Sequence, residues 1–152
     1  MINKFSGEHA FLSNSHPFPV EFEGAVYPTV EHAFQAAKTF DAEERERVRL
    51  AKSPAAAKTI GKKLDLRDGW DYHRVDVMKL LVKQKFQDPE LRDKLLATGD
   101  EPLVEGNLWH DRYWGQCQCP NHKGDGLNWL GRILTSIRKE LPSESQKNGH
   151  SE

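Results

Sequence analysis

The chain has 152 residues, enough for one core that buries roughly two-thirds of its unfolded surface without help from a disulfide or a metal. Its 22 basic and 23 acidic residues leave a net charge of −1, so no global field gathers polyanions and any nucleic-acid contact must be local. No apolar run nears the roughly 20 residues of a membrane span, and Met1-Ile-Asn-Lys-Phe-Ser6 lacks the basic-then-apolar pattern of a signal peptide, so a cytoplasmic protein without a membrane partner is expected.

Residues 3–17 mix Ser, Asn, Gly, His and Pro with Phe5, Phe11 and Leu12, an irregular lead-in anchored by apolar side chains. From Phe18 the pattern alternates, with Phe18, Val20 and Phe22 on one face and Pro19, Glu21 and Glu23 on the other. A Glu23-Gly24 turn and a return through Val26 and Tyr27 complete a small hairpin. Pro28 and Thr29 then open a helix reaching about Phe40, with Thr29 as its N-cap and Val30, Ala33, Phe34 and Ala37 at the spacing of a buried face. Glu31, Gln35 and Lys38 make a second stripe beside it, placed to border a cleft. The helix dipole by itself also favours Glu31 in the first turn and Lys38 in the last.

Asp41-Ala-Glu-Glu44 is a capping arrangement that opens a charged helix to about Leu50, and Ser53-Pro54 starts another that Gly61 stops. A longer helix begins near Trp70 with Val75, Met78, Leu81, Val82 and Phe86 at helical spacing. Asp88-Pro89 then starts one carrying Leu91, Leu95 and Leu96. Leu103-Val-Glu105 is predicted as a short strand. The last helix is predicted from about Gly126 to Leu141, burying Leu127, Leu130, Ile133, Leu134 and Ile137. The polar composition after Pro142 predicts a disordered tail over 142–152, leaving a single domain at 1–141. No phosphate-binding glycine loop, dinucleotide fingerprint, zinc-protease helix or nucleophile elbow is present.

The stretch from Glu105 to Asn128 is too long to be a mere connection. Glu105, Trp109, Asp111, Tyr113 and Trp114 supply carboxylates and flat aromatic surfaces, a set suited to a planar ring with acids beside the bond to be broken. The competing reading is that the tryptophans fill the core and Asp111 caps a turn. Cys117 and Cys119, separated by one residue, are badly placed to bridge each other. Cys117-Gln-Cys-Pro-Asn-His122 offers three metal ligands, with His110 as a fourth. Free thiols in a reducing cytosol, with no metal and no cofactor, are the expectation, and a structural zinc is the alternative.

Three blocks carry a resemblance: Tyr27-Pro-Thr-Val-Glu-His-Ala-Phe-Gln-Ala-Ala-Lys38, Leu103-Val-Glu105 with Asp111-Arg-Tyr-Trp-Gly115, and Gly126-Leu-Asn-Trp-Leu-Gly131. In order and spacing they resemble the NADAR family, and Ser53-Pro54 and the Trp70 to Met78 stretch extend the likeness over nearly all of residues 5–141. The Cys117 to His122 segment is a departure from that pattern. The resemblance implies a mainly helical α+β domain, here with small antiparallel hairpin elements, that hydrolyses N-glycosidic bonds. It implies two substrate classes: early riboflavin-pathway intermediates, in which a pyrimidine amine is joined to ribose phosphate, and ADP-ribose joined to guanine, free or in nucleic acid.

By motif position the resemblance points to Glu31, Lys38, Trp70, Glu105, Asp111 and Trp114 as pocket residues, with Tyr113, Gly115 and Asn128 added as substrate contacts. Elementary chemistry fits those types. Breaking a C1–N bond leaves positive charge on the sugar, which a fixed carboxylate such as Glu31 opposes as it develops. Lys38 serves either as a charge on a phosphate or as a nucleophile that captures C1 through a Schiff base. One helical stripe would hold it about 10 Å from Glu31 along the axis. Asp111 or Glu105 would meet the leaving base or the ribose hydroxyls, and Trp114 would stack. Near-neutral charge favours a small nucleotide-like partner over a long duplex. The competing classes are a non-catalytic module that binds ADP-ribose or a nucleotide, and a zinc-stabilised interaction domain. Oligomeric state is not legible.

Overall fold

A computed structural model describes residues 1–141. The tail expected to be disordered lies outside the described residues. The chain groups into two compact units, one spanning Asn14–Lys85 and the other combining Met1–Ser13 with the segment from Phe86 onward. The class is the mainly helical α+β one, with a small antiparallel sheet.

In the 14–85 unit, β1 (Val20–Phe22) pairs antiparallel with β2 (Ala25–Tyr27), placing Val20 opposite Tyr27 and Phe22 opposite Ala25. Glu23 and Gly24 both take positive φ, 46° and 91°, the two-residue hairpin turn whose twist matches that of its strands. The side-chain amide of Gln84 covers the backbone of Glu21: Oε1 accepts from its N–H at 2.6 Å and Nε2 donates to its carbonyl at 2.8 Å. An otherwise open strand edge is thereby closed.

Four helices follow: α1 (Val30–Ala36), α2 (Ala42–Arg49), α3 (Pro54–Gly61) and α4 (Trp70–Lys85). The first three start where the sequence placed their caps, with Thr29, Asp41 and Ser53 each accepting the amide three residues on. The far end of α1 differs from expectation. The helix stops at Ala36, and Lys38 lies in the turn beyond it, its amide bonded to the Gln35 carbonyl. Helices α1 and α3 approach closely because a side chain at Gly61 would collide with Gln35.

The other unit holds a 3-10 helix (Gly7–Leu12) inside the lead-in read as irregular, then α5 (Pro89–Ala97), β3 (Gly106–Asn107), β4 (Gln116–Cys117) and α6 (Trp129–Glu140). Asp88 caps α5 through the Leu91 amide. Leu103 is not part of a strand over 103–105. It makes a single parallel bridge to Ile2, with Ile2 N–H donating to Pro102 and Val104 N–H donating to Ile2. The strand proper comes later, and β3 and β4 pair in parallel, unlike the hairpin.

Helix α6 begins at Trp129, three residues later than predicted, because Asn128 is left-handed at φ 54°. Leu127, assigned to its buried face, is therefore outside the helix and 48% exposed, while Leu130, Ile133, Leu134 and Ile137 are buried as expected. No helix among the described residues is long and apolar enough to cross a membrane.

Candidate functional site

In the 14–85 unit Glu31 lies in the first turn of α1, Lys38 in the turn past its end and Trp70 at the start of α4. Thr29 is fixed twice, since its hydroxyl accepts the His32 amide and lies 2.8 Å from His32 Nδ1. His32 Nε2 faces the Ala51 carbonyl at 3.1 Å, and an acceptor there makes Nε2 the donor, so in the neutral ring Nδ1 takes the Thr29 proton. This buried histidine ties α1 to the segment after α2. Glu31, two residues after the cap, keeps one carboxylate oxygen at 3.3 Å from Gln35 Nε2 and the other at 4.0 Å from Lys58 Nζ.

Lys38 is held from behind. Its carbonyl accepts the Arg67 amide at 2.8 Å, and the Arg67 guanidinium lies over the rings of Phe40 and Trp70, 4.7 and 5.5 Å from their centroids. Trp70 is buried against Phe34, with ring centroids 5.3 Å apart, so in this unit it is a wall of the core behind the lysine. Burial pushes the Lys38 pKa below the ordinary lysine range. Glu31 opposes the shift, and Lys58 and Lys62 reinforce it. A carboxylate and three amines thus interact along α1 and just past its end, with the Lys38 pKa lowered mainly by its burial.

In the other unit the candidate carboxylates belong to one network. Asn107, only 3% exposed, grips the backbone of Asp111 at both ends, accepting its N–H at 3.0 Å and donating to its carbonyl at 2.8 Å. The same Asn107 amide lies 3.3 Å from Glu105 Oε2. Asp111 Oδ1 accepts the amides of Tyr113 and Trp114 at 3.0 and 2.9 Å, the turn-capping role set against catalysis in the sequence. Tyr113 and Trp114 are half-buried and meet edge to face, centroids 4.9 Å apart. Trp109 projects to solvent, 60% exposed.

Gly115 and Asn128 are taken up by the fold. A side chain at Gly115 would strike the carboxylate and carbonyl of Glu105, so the close approach there is made by the protein itself. Asn128 Oδ1 accepts the Glu105 amide at 3.0 Å and its Nδ2 donates to the Leu103 carbonyl at 2.9 Å. Because Asn128 spends its side chain this way, α6 has no side-chain cap. The carbonyls of Tyr113 and Trp114 receive the first amides of the helix instead.

Beside this network, His110, Cys117, Cys119 and His122 bring their ligand atoms within 4.8 Å of one another. Both cysteines are reduced and buried. Burial raises the Cys119 thiol, but the Cys117 sulfur, the amides of His122 and Asn121 and the Arg112 charge outweigh it and hold the group below the ordinary range.

Sequence reasoning missed His32, Arg67 and Asn107, which hold the candidate residues in place. Only Asn107 left a signal, an amide two positions from one acid and four from the other.

The short helices, the small antiparallel hairpin and the acid-and-tryptophan loop braced against α6 are those of a small, mainly helical α+β protein. The chain belongs to the NADAR domain family, which matches residues 2–142. It is 37% identical over 142 residues to the N-glycosidase YbiA of Escherichia coli (strain K12), covering 91% of this chain and 86% of that one. It is 36% identical over 143 residues to a riboflavin biosynthesis protein of Vibrio vulnificus (strain YJ016), covering 92% of this chain and 38% of that longer protein. The NMR structure of E. coli YbiA superposes with a TM-score of 0.76 at 35% identity, covering 93% of this chain and 86% of that chain. With these relatives the chain is an N-glycosidase, a hydrolase of N-glycosyl bonds.

Proposed function

We propose that the substrate is a small phosphorylated ribosyl compound in which C1 of the ribose carries an exocyclic amine of a pyrimidine, the riboflavin-intermediate class. The single observation that carries this reading is the cluster of Glu31, Lys38, Lys58 and Lys62, a carboxylate among amines able to attract a phosphate, with burial lowering the Lys38 pKa. The name of the Vibrio vulnificus relative, a riboflavin biosynthesis protein, supports the pyrimidine amine as leaving group.

The C1–N bond breaks with its electron pair passing to the departing nitrogen, which takes up a proton. Glu31 opposes the positive charge that develops at C1. Water then adds to C1, losing a proton as it does so. A neutral Lys38 offers a covalent route. The amine adds to the open-chain C1, expels the base amine as an imine forms, and is regenerated when water hydrolyses that imine. Lowering the lysine pKa raises the fraction of nucleophile, which favours this role over that of a fixed charge.

The test is incubation with a ribosylaminopyrimidine phosphate and, separately, with ADP-ribosyl guanine, following release of the free base by chromatography. Release from the first and not the second is expected, and the reverse would transfer the assignment to the ADP-ribosyl class. Glu31→Gln should lower kcat by about 100-fold or more. Borohydride added during turnover should leave a reduced sugar adduct on Lys38. Turnover without that adduct would return the step to direct water attack.

A further inference from the structure

The four nitrogen and sulfur donors of the 105–128 loop have a geometry that hydrogen bonding does not account for. His110 Nδ1 lies 3.6 Å from Cys117 Sγ, 3.6 Å from Cys119 Sγ and 3.3 Å from His122 Nδ1. One imidazole nitrogen has either one proton or one lone pair, so it can satisfy only one of these three neighbours as a hydrogen-bond partner. The fourth donor closes the set, with His122 Nδ1 at 3.2 Å from Cys119 Sγ.

A cation at the centre satisfies all four. Bonds of about 2.3 Å to sulfur and about 2.0–2.1 Å to nitrogen, arranged tetrahedrally, place sulfur and nitrogen about 3.5–3.6 Å apart and two nitrogens about 3.3–3.4 Å apart. Four of the six edges, the sulfur–nitrogen separations of 3.6, 3.6 and 3.2 Å and the nitrogen pair at 3.3 Å, fall on or near those values, and the two from Cys117 Sγ to Cys119 and to His122 lie within 4.8 Å. We propose that His110, Cys117, Cys119 and His122 form a structural zinc site.

The ligand set selects the metal. Two thiolates and two imidazoles in tetrahedral array suit zinc, whereas magnesium and calcium demand oxygen and divalent copper prefers a planar arrangement. With four protein ligands the site has no open position for substrate or water, so the ion's work is mechanical. Two thiolates balance the divalent charge, and the loop gains no net field. The ligands sit where a staple is useful. Cys117 lies on β4, Cys119 to His122 is a turn in which the Cys119 carbonyl accepts the amides of His122 and Lys123, and His110 directly precedes Asp111. His110 takes φ 71°, a left-handed conformation uncommon outside glycine, and this directs its ring back toward the sulfurs.

The full chain, purified without chelator, incubated with zinc chloride and desalted, is expected to carry one zinc per molecule by elemental analysis. Replacing zinc with cobalt(II) should produce the visible absorption of a tetrahedral ion together with thiolate charge transfer. His122→Ala removes a half-buried ligand outside the cysteine pair and should weaken zinc affinity by about tenfold or more, read by competition with a chromophoric chelator, with circular dichroism unchanged. Cys117→Ser should weaken the charge-transfer band by about half if it folds, because Cys119 keeps its thiolate bond. The cobalt spectrum of the parent chain stands whether or not it does. Substoichiometric metal after incubation, or a cobalt complex lacking thiolate bands, would overturn the proposal.

Discussion

At the scale of single residues, Asp111 Oδ1 already accepts the amides of Tyr113 and Trp114, so charge and shape at this position can be separated by substitution. Asparagine retains an oxygen acceptor and loses the charge, whereas alanine loses both. Asp111→Asn is expected to hold its melting temperature within about 2 °C of the parent while kcat falls by about 100-fold. Asp111→Ala should also lose about 1–2 kcal/mol of stability. Thermal unfolding and steady-state kinetics on the two variants check this, and an asparagine variant as active as the parent would confine Asp111 to holding its turn. Residue types at this scale were legible in the sequence, but their engagements were not. Nothing in the chain order of Asn107 and Asp111 reveals that the amide of one brackets both backbone groups of the other.

Among the elements, α6 depends most on residues distant in sequence. Its start is set by Asn128, which combines a left-handed backbone with side-chain bonds to Leu103 and Glu105. Asn128→Ala therefore meets two costs, a strained backbone and two backbone groups left unpaired, and should destabilise by about 2–3 kcal/mol in denaturant titrations. Asn128→Gly relieves the first cost only and should recover about 1 kcal/mol of the loss. This explains which elements the sequence could announce. Thr29, Asp41, Ser53 and Asp88 act on amides three residues away, so their helices start where local pattern put them. The start of α6 and the parallel pairing of β3 with β4 rest on partners ten to twenty-five positions off, beyond the reach of periodicity. His110 is the same case in the site. Cys-x-Cys-x-x-His is visible as spacing, whereas the fourth ligand depends on a left-handed φ that no propensity of histidine suggests.

For the molecule as a whole, the buried charge of Lys85 works against folding. Lys85, in the last turn of α4, is 1% exposed, and burial pushes its pKa down from 10.5 to about 7. Below about pH 7 the folded chain carries the cost of burying the Lys85 ammonium. Between about 7 and 10.5 the unfolded chain holds a proton that the folded one has released, so stability rises with pH across that window. Lys85→Met should raise stability by on the order of 1–2 kcal/mol at pH 6, with the gain fading toward pH 10. Denaturant midpoints at the two pH values check this, and a gain that grew with pH would contradict it.

The two compact units also differ in how their tryptophans meet solvent. Trp70 is packed against Phe34 in one, while Trp109, beside His110 in the other, stands largely in water. Indole emission shifts to the red in a polar setting and is open there to collisional quenchers. Iodide should therefore darken Trp109 and spare Trp70, with the half-buried Trp114 and Trp129 of the second unit quenched in between. Any rearrangement at His110 registers in the long-wavelength, quenchable part of the spectrum.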